Sequence, residues 1–351
     1  HIKTNTGIKD EPLSATRNMA YDSDRNVRKS AFHAEIEALE GISPQAAFAL
    51  NSIKGEVINI CSLRGYSSPL EMTVEASRLD KDIFNAMLEA VKSLSPYFAV
   101  YFNKKAEILG LTEKLPFYDL FAPVGENSKT YTYQQAQEII AVSFNSFSTE
   151  LGNFAINAFK NNWIDVYPKK GKTGGAFCSY IHAIGQSRIL TNFTGSFSDV
   201  VTIAHELGHG YHGQCLKNET YLNSDYPMPI AETASTFCES IVKNVLLKTA
   251  SKDEALIITE SDLSDSAQTI VDILSRFLFE DEVFKLRKEG SLSARELSEI
   301  MLKAQKSAYS ESLSVYHPYM WVCKPHYYDA EYNYYNFPYA FGLLLSKGLY
   351  G

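Results

Sequence analysis

The sequence predicts a mainly α-helical protein that contains one small β-sheet. Apolar residues recur at helical spacing over most of the chain, as in segment 44–63, where Ala47, Leu50 and Val57 share one helical face. Convincing β-like pieces occur only between residues 164 and 193, separated by turns rich in lysine and glycine. The chain has 351 residues, 45% of them hydrophobic, which is enough to bury a core in one large domain or two modest ones.

Consecutive helices are expected over about residues 23–110. Ser43 is the expected N-cap of one of them, because Pro44 follows it at the first helical position. Turn-forming residues predict helix breaks at 41–43, 65–69 and 95–96. A second helical run is expected from Tyr131 to Trp163.

The predicted sheet consists of three pieces, 164–167, 176–181 and 188–193. Helical patterning resumes at Ser198, the expected N-cap of the next helix. Apart from a loop around residues 218–229, it continues through 257–286, 294–308 and 341–349. The polar opening stretch, residues 3–10, is expected to be unstructured.

Charge and cysteine content exclude several classes of function. The formal charge of −8 and the isoelectric point near 5.6 argue against nucleic-acid and anionic-membrane partners, which require clustered positive charge. The five cysteines are widely spread and form no CxxC pair, so neither a disulfide framework nor a thiolate zinc site is expected. No apolar run is long enough for a membrane span, and the N-terminus lacks the layout of a signal peptide. We therefore expect a cytoplasmic protein with reduced thiols.

The segment HELGHGYH, residues 205–212, predicts a metal site. On a helix, His205 and His209 lie on one face about one turn apart, so that one nitrogen of each can reach the same ion. Glu206 lies beside the ion rather than on it, where a carboxylate can accept a proton from a metal-bound water. Catalytic zinc usually takes three protein ligands and keeps one position for water, so a third ligand is expected elsewhere.

Two residues near the motif are unsuited to be the third ligand. His212 shares the helical face but lies nearly two turns from His205, so we expect it in the second coordination shell. The metzincin arrangement requires a histidine ten residues after His205, and that position is Cys215. The gluzincin arrangement, in which a later glutamate completes the set, remains.

Glu219 and Glu232 are the glutamate candidates. Glu219 lies in a polar loop, where an acidic residue is usually solvated. Glu232 follows Pro229 in a segment that reads as a buried helix, and a carboxylate there needs a cationic partner, which a metal supplies. We therefore predict Glu232 as the third ligand. Glu239, seven residues on and on the same face, is expected in the second shell, where it can orient a ligand imidazole.

Two longer segments carry a family resemblance. FTGSFSDVVTIAHELGHGYH, residues 193–212, and YPMPIAETASTFCE, residues 226–239, closely resemble oligoendopeptidase F of the thimet oligopeptidase family, and the likeness covers most of the chain. It implies a mainly helical gluzincin-type catalytic domain, a small sheet beside the active-site helix, and a substrate channel between helical lobes. It also implies zinc ligands at His205, His209 and Glu232 and a catalytic base at Glu206, the same residues that the spacing favours.

The resemblance also implies a division of the chain. We expect one catalytic region made of a helical lobe over about 1–162, the small sheet over 163–197, and the active-site helices with a tyrosine-rich wall over 198–351. Members of the family extend further at both ends, so truncation at both ends is expected.

Tyrosines cluster densely after His326. Buried phenols need hydrogen-bond partners, so such a cluster indicates the wall of a polar cavity, although core packing accounts for some of them. In the resembled family, a histidine and tyrosines at this place hydrogen-bond the substrate carbonyl. His326 matches that histidine; Tyr335, and after it Tyr332, are the candidate phenols.

The substrate strand is expected just before the active-site helix. Gly175, Ala176 and Phe177 belong to a piece rich in small residues that can pair with a peptide backbone as an added strand, although an ordinary strand after a tight turn reads the same way.

These expectations describe an endopeptidase that holds one Zn²⁺ per chain and cleaves short peptides with Glu206 as general base. A carboxypeptidase or dipeptidase with the same ligands is the alternative, with Arg188 or Lys324 available to bind a substrate carboxylate. A peptide-binding helical scaffold with a structural zinc is disfavoured, because only three protein ligands are evident.

Overall fold

The structure, a computed structural model, describes residues 2–4, 7–9, 11–125 and 130–350. Most of these residues lie in helices, which confirms the predicted mainly α class. The helices are α1 Leu13–Asn18, α2 Arg25–Leu63, α3 Pro69–Ala76, α4 Lys81–Ile108, α5 Tyr133–Phe147, α6 Thr149–Lys160, α7 Phe197–Cys215, α8 Met228–Leu247, α9 Lys252–Ala267, α10 Ile273–Arg287, α11 Ala294–Ala308 and α12 Phe337–Tyr350. The strands are β1 Ile2–Thr4, β2 Gly7–Lys9, β3 Ile164–Asp165, β4 Phe177–Ile181 and β5 Gln186–Leu190.

Helix α2 runs without a break through the segment where the sequence predicted one. Ser43 is not an N-cap, because it lies inside α2, whose N-cap is Asp24. Its hydroxyl instead donates to the carbonyl of Glu40 at 2.9 Å. Proline has no N–H, so Pro44 leaves that same carbonyl without its usual helical donor, and the Ser43 hydroxyl replaces it. The break predicted at 95–96 is also wrong, since α4 continues through Pro96. The break at 65–69 is confirmed by the ends of α2 and α3.

Three smaller expectations are corrected. In the polar opening stretch, β1 and β2 pair antiparallel, Ile2 opposite Lys9, because backbone pairing does not require apolar side chains; residues 5, 6 and 10 of that prediction lie outside the described residues. The helical run after Tyr131 is divided at Ser148, whose hydroxyl accepts a hydrogen bond from the backbone of Leu151 and caps α6. The N-cap of α7 is Ser196 rather than Ser198.

The predicted sheet is confirmed, and its strands lie in the order β3-β5-β4. Strand β5 pairs in parallel with β3, Ile164 opposite Ile189, and antiparallel with β4, Cys178 opposite Ile189. Strand β4 therefore lies at an edge of this sheet. The same sheet contributes Ile164 and Ile189 to a buried core with Phe144 and Val200, which fixes it against the helices.

The chain forms two compact units. The first, called here the outer-segment unit, contains His1–Val124 and Leu263–Phe337; the second, called the motif unit, contains Gly125–Asp262 and Pro338–Gly351. The boundaries of these units differ from those of the three-part division expected from the sequence. That division was based on the kind of local structure in each segment, and it stays a prediction. None of the helices in the described ranges combines the length and apolar character that crossing a bilayer requires.

Helices α7 and α8 approach each other closely at Gly208. A Cβ atom on this residue would lie 2.8 Å from the carbonyl oxygen of Ala234 and from the Cα of Ser235, both in α8. Backbone atoms cannot move aside as a flexible side chain can, so only glycine permits this helix spacing. The spacing decides how far the side chains of α8 reach toward α7.

We predict that Gly208→Ala destabilises the protein, by about 1–3 kcal/mol, because the added methyl group meets backbone in a packed interior. The matched control is Gly41→Ala, in the middle of α2, where an added Cβ meets no atom within 4 Å. Replacing that glycine should stabilise the helix by about 0.5–1 kcal/mol. Thermal and denaturant unfolding of the two variants measures both changes, and equal stability of the two proteins would contradict the close approach.

Candidate metal centre and active site

Helix α7 carries the HELGHGYH motif and begins with a double cap. The Ser196 hydroxyl accepts from the backbone N–H of Asp199 at 3.1 Å, and the Asp199 carboxylate accepts from the backbone N–H of Ser196 at 3.0 Å. Val200, Ile203 and Leu207 are fully buried on the apolar side of the helix. The cap and this buried face fix the direction in which the histidines on the other side point.

Three ligand atoms converge between α7 and α8. Nε2 of His205 lies 3.2 Å from Nε2 of His209, and the Glu232 Oε2 atom lies 3.6 Å from the first and 3.9 Å from the second. Tetrahedral zinc with bonds of about 2.0–2.1 Å holds its ligand atoms about 3.4 Å apart. The donor set and its spacing therefore fit one metal ion held by His205, His209 and Glu232.

Glu232 is held from two sides. Gly208 lets α8 approach α7, and Gly342 lets α12 approach α8, since a Cβ on Gly342 would lie 2.9 Å from the backbone carbon and the Cβ of Glu232. The Ser235 hydroxyl donates to the Glu232 carboxylate at 3.2 Å. Burial raises the pKa of Glu232, a penalty that a bound cation would offset. Glu219, the rejected alternative, is exposed and lies outside this group.

Glu239 orients the first histidine. Its Oε1 lies 2.6 Å from Nδ1 of His205, so that Nδ1 carries the proton and Nε2 is left for the metal. Burial opposes the charge of Glu239, but the ammonium of Lys243, 3.2 Å from Oε2, and the bond to His205 outweigh it and lower the pKa to about 2. The ionised carboxylate in turn raises the pKa of His205 to about 9 against the effect of burial.

The ion pairs continue beyond Lys243 to a third helix. The Lys243 ammonium lies 3.3 Å from Asp262 Oδ1, and the other oxygen of Asp262 lies 2.8 Å from Lys347 in α12. Lys243 is almost fully buried and shares the two carboxylates of Glu239 and Asp262. This charge chain, His205–Glu239–Lys243–Asp262–Lys347, connects the metal ligands to α9 and α12.

Glu206 is buried beside the ligands. Its side chain is 5% exposed, and Oε2 has no hydrogen-bond partner among the described residues. Burial raises the pKa of Glu206 to about 7; the charge of His205 opposes this rise, and repulsion from Glu232 and Glu239 adds to it. A carboxyl group with a pKa near neutrality can both take and return a proton.

His209 and His212 differ in environment. Burial and repulsion from His205 lower the pKa of His209 to about 3, which keeps its imidazole neutral and able to bind a metal. His212, expected in the second shell, stacks on Tyr226 with ring centroids 4.0 Å apart and makes no hydrogen bond to a ligand among the described residues. Its contribution is contact with the loop before α8.

The expected substrate strand, β4, lies at an edge of the sheet and packs against α7. Gly175 adopts φ +80°, the left-handed turn that precedes β4, and Asn192 donates to its carbonyl at 2.9 Å. Ala176 follows, and Phe177 opens β4 with 48% of its surface exposed. Burial, with the charge of Glu206 adding to it, raises the pKa of Cys178 to about 12, so this strand lies near the general-base candidate.

The tyrosine-rich run belongs to the outer-segment unit, and its phenols fall into two groups. Tyr327, Tyr328 and Tyr334 are held by protein partners, namely the carbonyls of Arg276 and Trp321 and the carboxylate of Asp281. Core packing therefore explains these three.

His326, Tyr335 and Tyr332 form a separate ring cluster. His326 stacks on Tyr335 at 5.6 Å, and Tyr335 meets Tyr332 edge-on at 5.3 Å. Nε2 of His326 is buried without a hydrogen-bond partner among the described residues. Burial first, then repulsion from Arg276 and Lys324, lowers the pKa of His326 to about 3, which makes it a neutral donor or acceptor.

The sequence also matches known proteins. The model of peptidase family M3 covers residues 18–349. The chain belongs to this family. Its peptidases are metal-dependent, and the His205, His209 and Glu232 group supplies a place for the metal in this member.

Three relatives of this M3 chain show how far the likeness extends. It is 27% identical to the group B oligopeptidase PepB of Streptococcus agalactiae over 93% of this chain and 54% of that protein. It is 28% identical to an oligoendopeptidase F homolog of Lactococcus lactis subsp. lactis, with 93% and 54% covered. The crystal structure of a candidate peptidase from Chlamydophila abortus matches with a TM-score of 0.83 at 26% identity, over 97% of this chain and 57% of that one. The M3 chain thus spans about half the length of its curated relatives.

Sequence reasoning did not identify Lys243, Asp262 or Tyr226. Lys243 follows Glu239 by four residues on one helix, a spacing that brings a carboxylate and an ammonium together and that could have indicated the pair. Asp262 and Tyr226 reach the site only through packing between elements, and the sequence carries no local signal for them.

We predict that Lys243→Met weakens the binding of Zn²⁺, used as the probe, by about tenfold, because Glu239 loses the ammonium that fixes it beneath His205. Competition with a chelator of known affinity measures the change, and thermal unfolding checks that the variant is folded. Lys248→Met, which removes an exposed lysine from the end of the same helix, is the control and should bind like the parent protein. Equal affinity of the two variants would show that Lys243 does not position Glu239.

Proposed function

We propose that this protein is a zinc-dependent endopeptidase that hydrolyses internal bonds of short oligopeptides. The observation that carries the proposal is the convergence of the three ligand atoms of His205, His209 and Glu232 within 4.8 Å of one another, beside the buried carboxylate of Glu206. Membership of family M3 and the oligopeptidase relatives support the choice of peptides as substrates.

The donor set favours zinc, with one ion per chain. Two neutral imidazoles and one carboxylate are the usual protein ligands of catalytic zinc. When bound, Zn²⁺ lowers the pKa of a coordinated water to about 7 and polarises a carbonyl group. Glu239 holds the His205 tautomer that presents Nε2.

Glu206 is the proposed general base. It accepts the proton of the attacking water and returns it to the amine that leaves; its place beside the ligands, with Oε2 unpartnered among the described residues, leaves the carboxylate available for this role. The exposed edge of β4, with Gly175, Ala176 and Phe177 at its start, is the proposed place where the peptide backbone pairs as an added strand.

His326 and Tyr335 are the proposed hydrogen-bond donors to the substrate carbonyl oxygen, with Tyr332 as the alternative phenol. Support comes from the ring cluster that these three residues form and from Nε2 of His326, which is buried without a hydrogen-bond partner among the described residues. Hydrogen-bond donors that point at an oxygen which becomes negative in the transition state usually make the largest single contribution to stabilising that transition state.

A reducing compartment such as the cytoplasm is the proposed location. All five cysteines are free thiols, and thiols persist where the environment is reducing.

Glu206→Gln should retain bound Zn²⁺ but lose hydrolysis, because an amide cannot accept the proton of water. The test combines metal analysis with cleavage of quenched peptides of graded length, each in free and end-blocked form. Retained turnover in the variant would contradict the mechanism. In the parent protein, cleavage of peptides blocked at both ends supports an endopeptidase; cleavage that requires a free end would support the carboxypeptidase or dipeptidase alternative.

Tyr335→Phe and His326→Ala should lower kcat by about a hundredfold with little change in KM, because their proposed partner exists only during the reaction. Tyr328→Phe is the control: it removes a phenol bonded to the Trp321 carbonyl and should affect stability rather than kcat. Steady-state kinetics of the variants measures both constants. If Tyr332→Phe loses kcat while Tyr335→Phe keeps it, the role belongs to Tyr332.

A further inference from the structure

The outer-segment unit contains a cavity of about 290 Å³. It opens between α1, the first turns of α2, the start of α10 and the segment that ends at Lys324. Its volume lies near the lower end of the range for small-molecule sites. Four cationic side chains line it, Arg17, Arg28, Arg276 and Lys324.

Arg28 has a structural role. Its guanidinium binds the buried carboxylate of Asp119 at 2.9 Å and donates to the backbone carbonyls of Asp22 and Ser23 at 2.6 and 3.1 Å. Partners inside the protein therefore already compensate this charge.

Arg17 and Arg276 are only partly paired. Arg17 Nε lies 2.7 Å from Glu35, and Arg276 Nη2 binds Asp272. Each keeps a buried N–H group without a partner among the described residues, at Nη2 of Arg17 and at Nε of Arg276. A buried donor that stays unpaired costs free energy, which a bound acceptor would recover.

Among the described residues, Lys324 makes no ion pair: no carboxylate oxygen lies within 4.0 Å of its ammonium, although the side chain is partly buried in the lining of the cavity. Burial, and then repulsion from Arg276, lowers the pKa of Lys324. An anion in the cavity would relieve both effects.

The lining of the cavity indicates the kind of anion. With Arg28 compensated by Asp119, the cations Arg17, Arg276 and Lys324 remain against the carboxylates of Glu35 and Asp272, and the imidazole of His317 lies 3.9 Å from Glu35. This excess of positive over negative side chains suits a small anion such as a carboxylate. The cavity is also lined by five aromatic residues, called here the aromatic wall: Tyr21, Phe32, Phe117, Tyr118 and Phe121. A carboxylate attached to an apolar side chain matches both parts of the lining.

We propose that this cavity binds the C-terminal residue of a short peptide, its carboxylate on Lys324 and the unpaired N–H groups of Arg17 and Arg276, and its side chain on the aromatic wall. The choice of a peptide, among carboxylates, rests on the proposed peptidase function. Forked guanidinium groups bind carboxylates well, and bonds between charged groups are the strong ones.

Calorimetric titration tests the proposal in the zinc-loaded Glu206→Gln protein, where no cleavage disturbs the measurement. The probes are acetyl-Leu-Phe with a free carboxylate and the same peptide with a C-terminal amide. The free acid should bind about tenfold more tightly than the amide. Lys324→Met should abolish that preference, whereas Lys324→Arg should keep it. Lys303→Met removes an exposed lysine of the same unit and should also keep it.

Three results would overturn the proposal: equal affinity for acid and amide in the parent protein, a preference for the acid that survives Lys324→Met, or Lys324-dependent binding of inorganic phosphate without binding of the peptide acid. The titration measures binding and needs no turnover. Failure of the proposed peptidase activity is therefore seen in a different experiment, in which the parent protein would cleave none of the quenched peptides.

Discussion

The site depends on the close packing of α7 against α8. Two carboxylates on α8, Glu232 and Glu239, reach the same imidazole of His205 from different directions, one at Nε2 and the other at Nδ1. Both contacts require the helix spacing that Gly208 permits, because a larger residue would meet the backbone of α8. A small displacement of either helix would change the metal geometry and the orientation of the histidine together.

Glu206, Glu232 and Glu239 lie close together and repel one another, which costs free energy. Ion pairs of alternating sign offset part of this repulsion. Glu239 is only partly exposed and lies close to other acidic groups, yet it stays ionised because Lys243 and His205 are bound to it. Lys243 is in turn shared with Asp262, which also binds Lys347. Removing one partner of such a chain leaves the next charge buried and unpaired, which is the costly case. The Oε2 atom of Glu206 has no hydrogen-bond partner among the described residues, and burial raises the pKa of this carboxyl group despite the charge of His205.

In the outer-segment unit, many polar groups are compensated by hydrogen bonds rather than by a chain of ion pairs. Several of its phenols, among them those of Tyr327, Tyr328 and Tyr334, and one arginine, Arg28, are bonded to carbonyls and carboxylates of the same unit. Among the described residues a few groups are not, including Nε2 of His326 and one N–H group each of Arg17 and Arg276, two residues that line the cavity. Unpaired polar atoms are rare inside folded proteins because each costs free energy, so they mark the places where a ligand can bind. The proposed roles of His326 and of the cavity both follow from this observation.

The sequence by itself determined the helical class, the three-stranded sheet and the family, because helical periodicity, strand pieces and a motif with ligands four residues apart are local properties. Tertiary structure decided the rest. Pro44 does not break α2, because a neighbouring hydroxyl satisfies the carbonyl that proline leaves free. Packing alone brings His326, Tyr335 and Tyr332 into one ring cluster and brings Asp262 to Lys243. These outcomes depend on partners distant in sequence, and no local pattern encodes them.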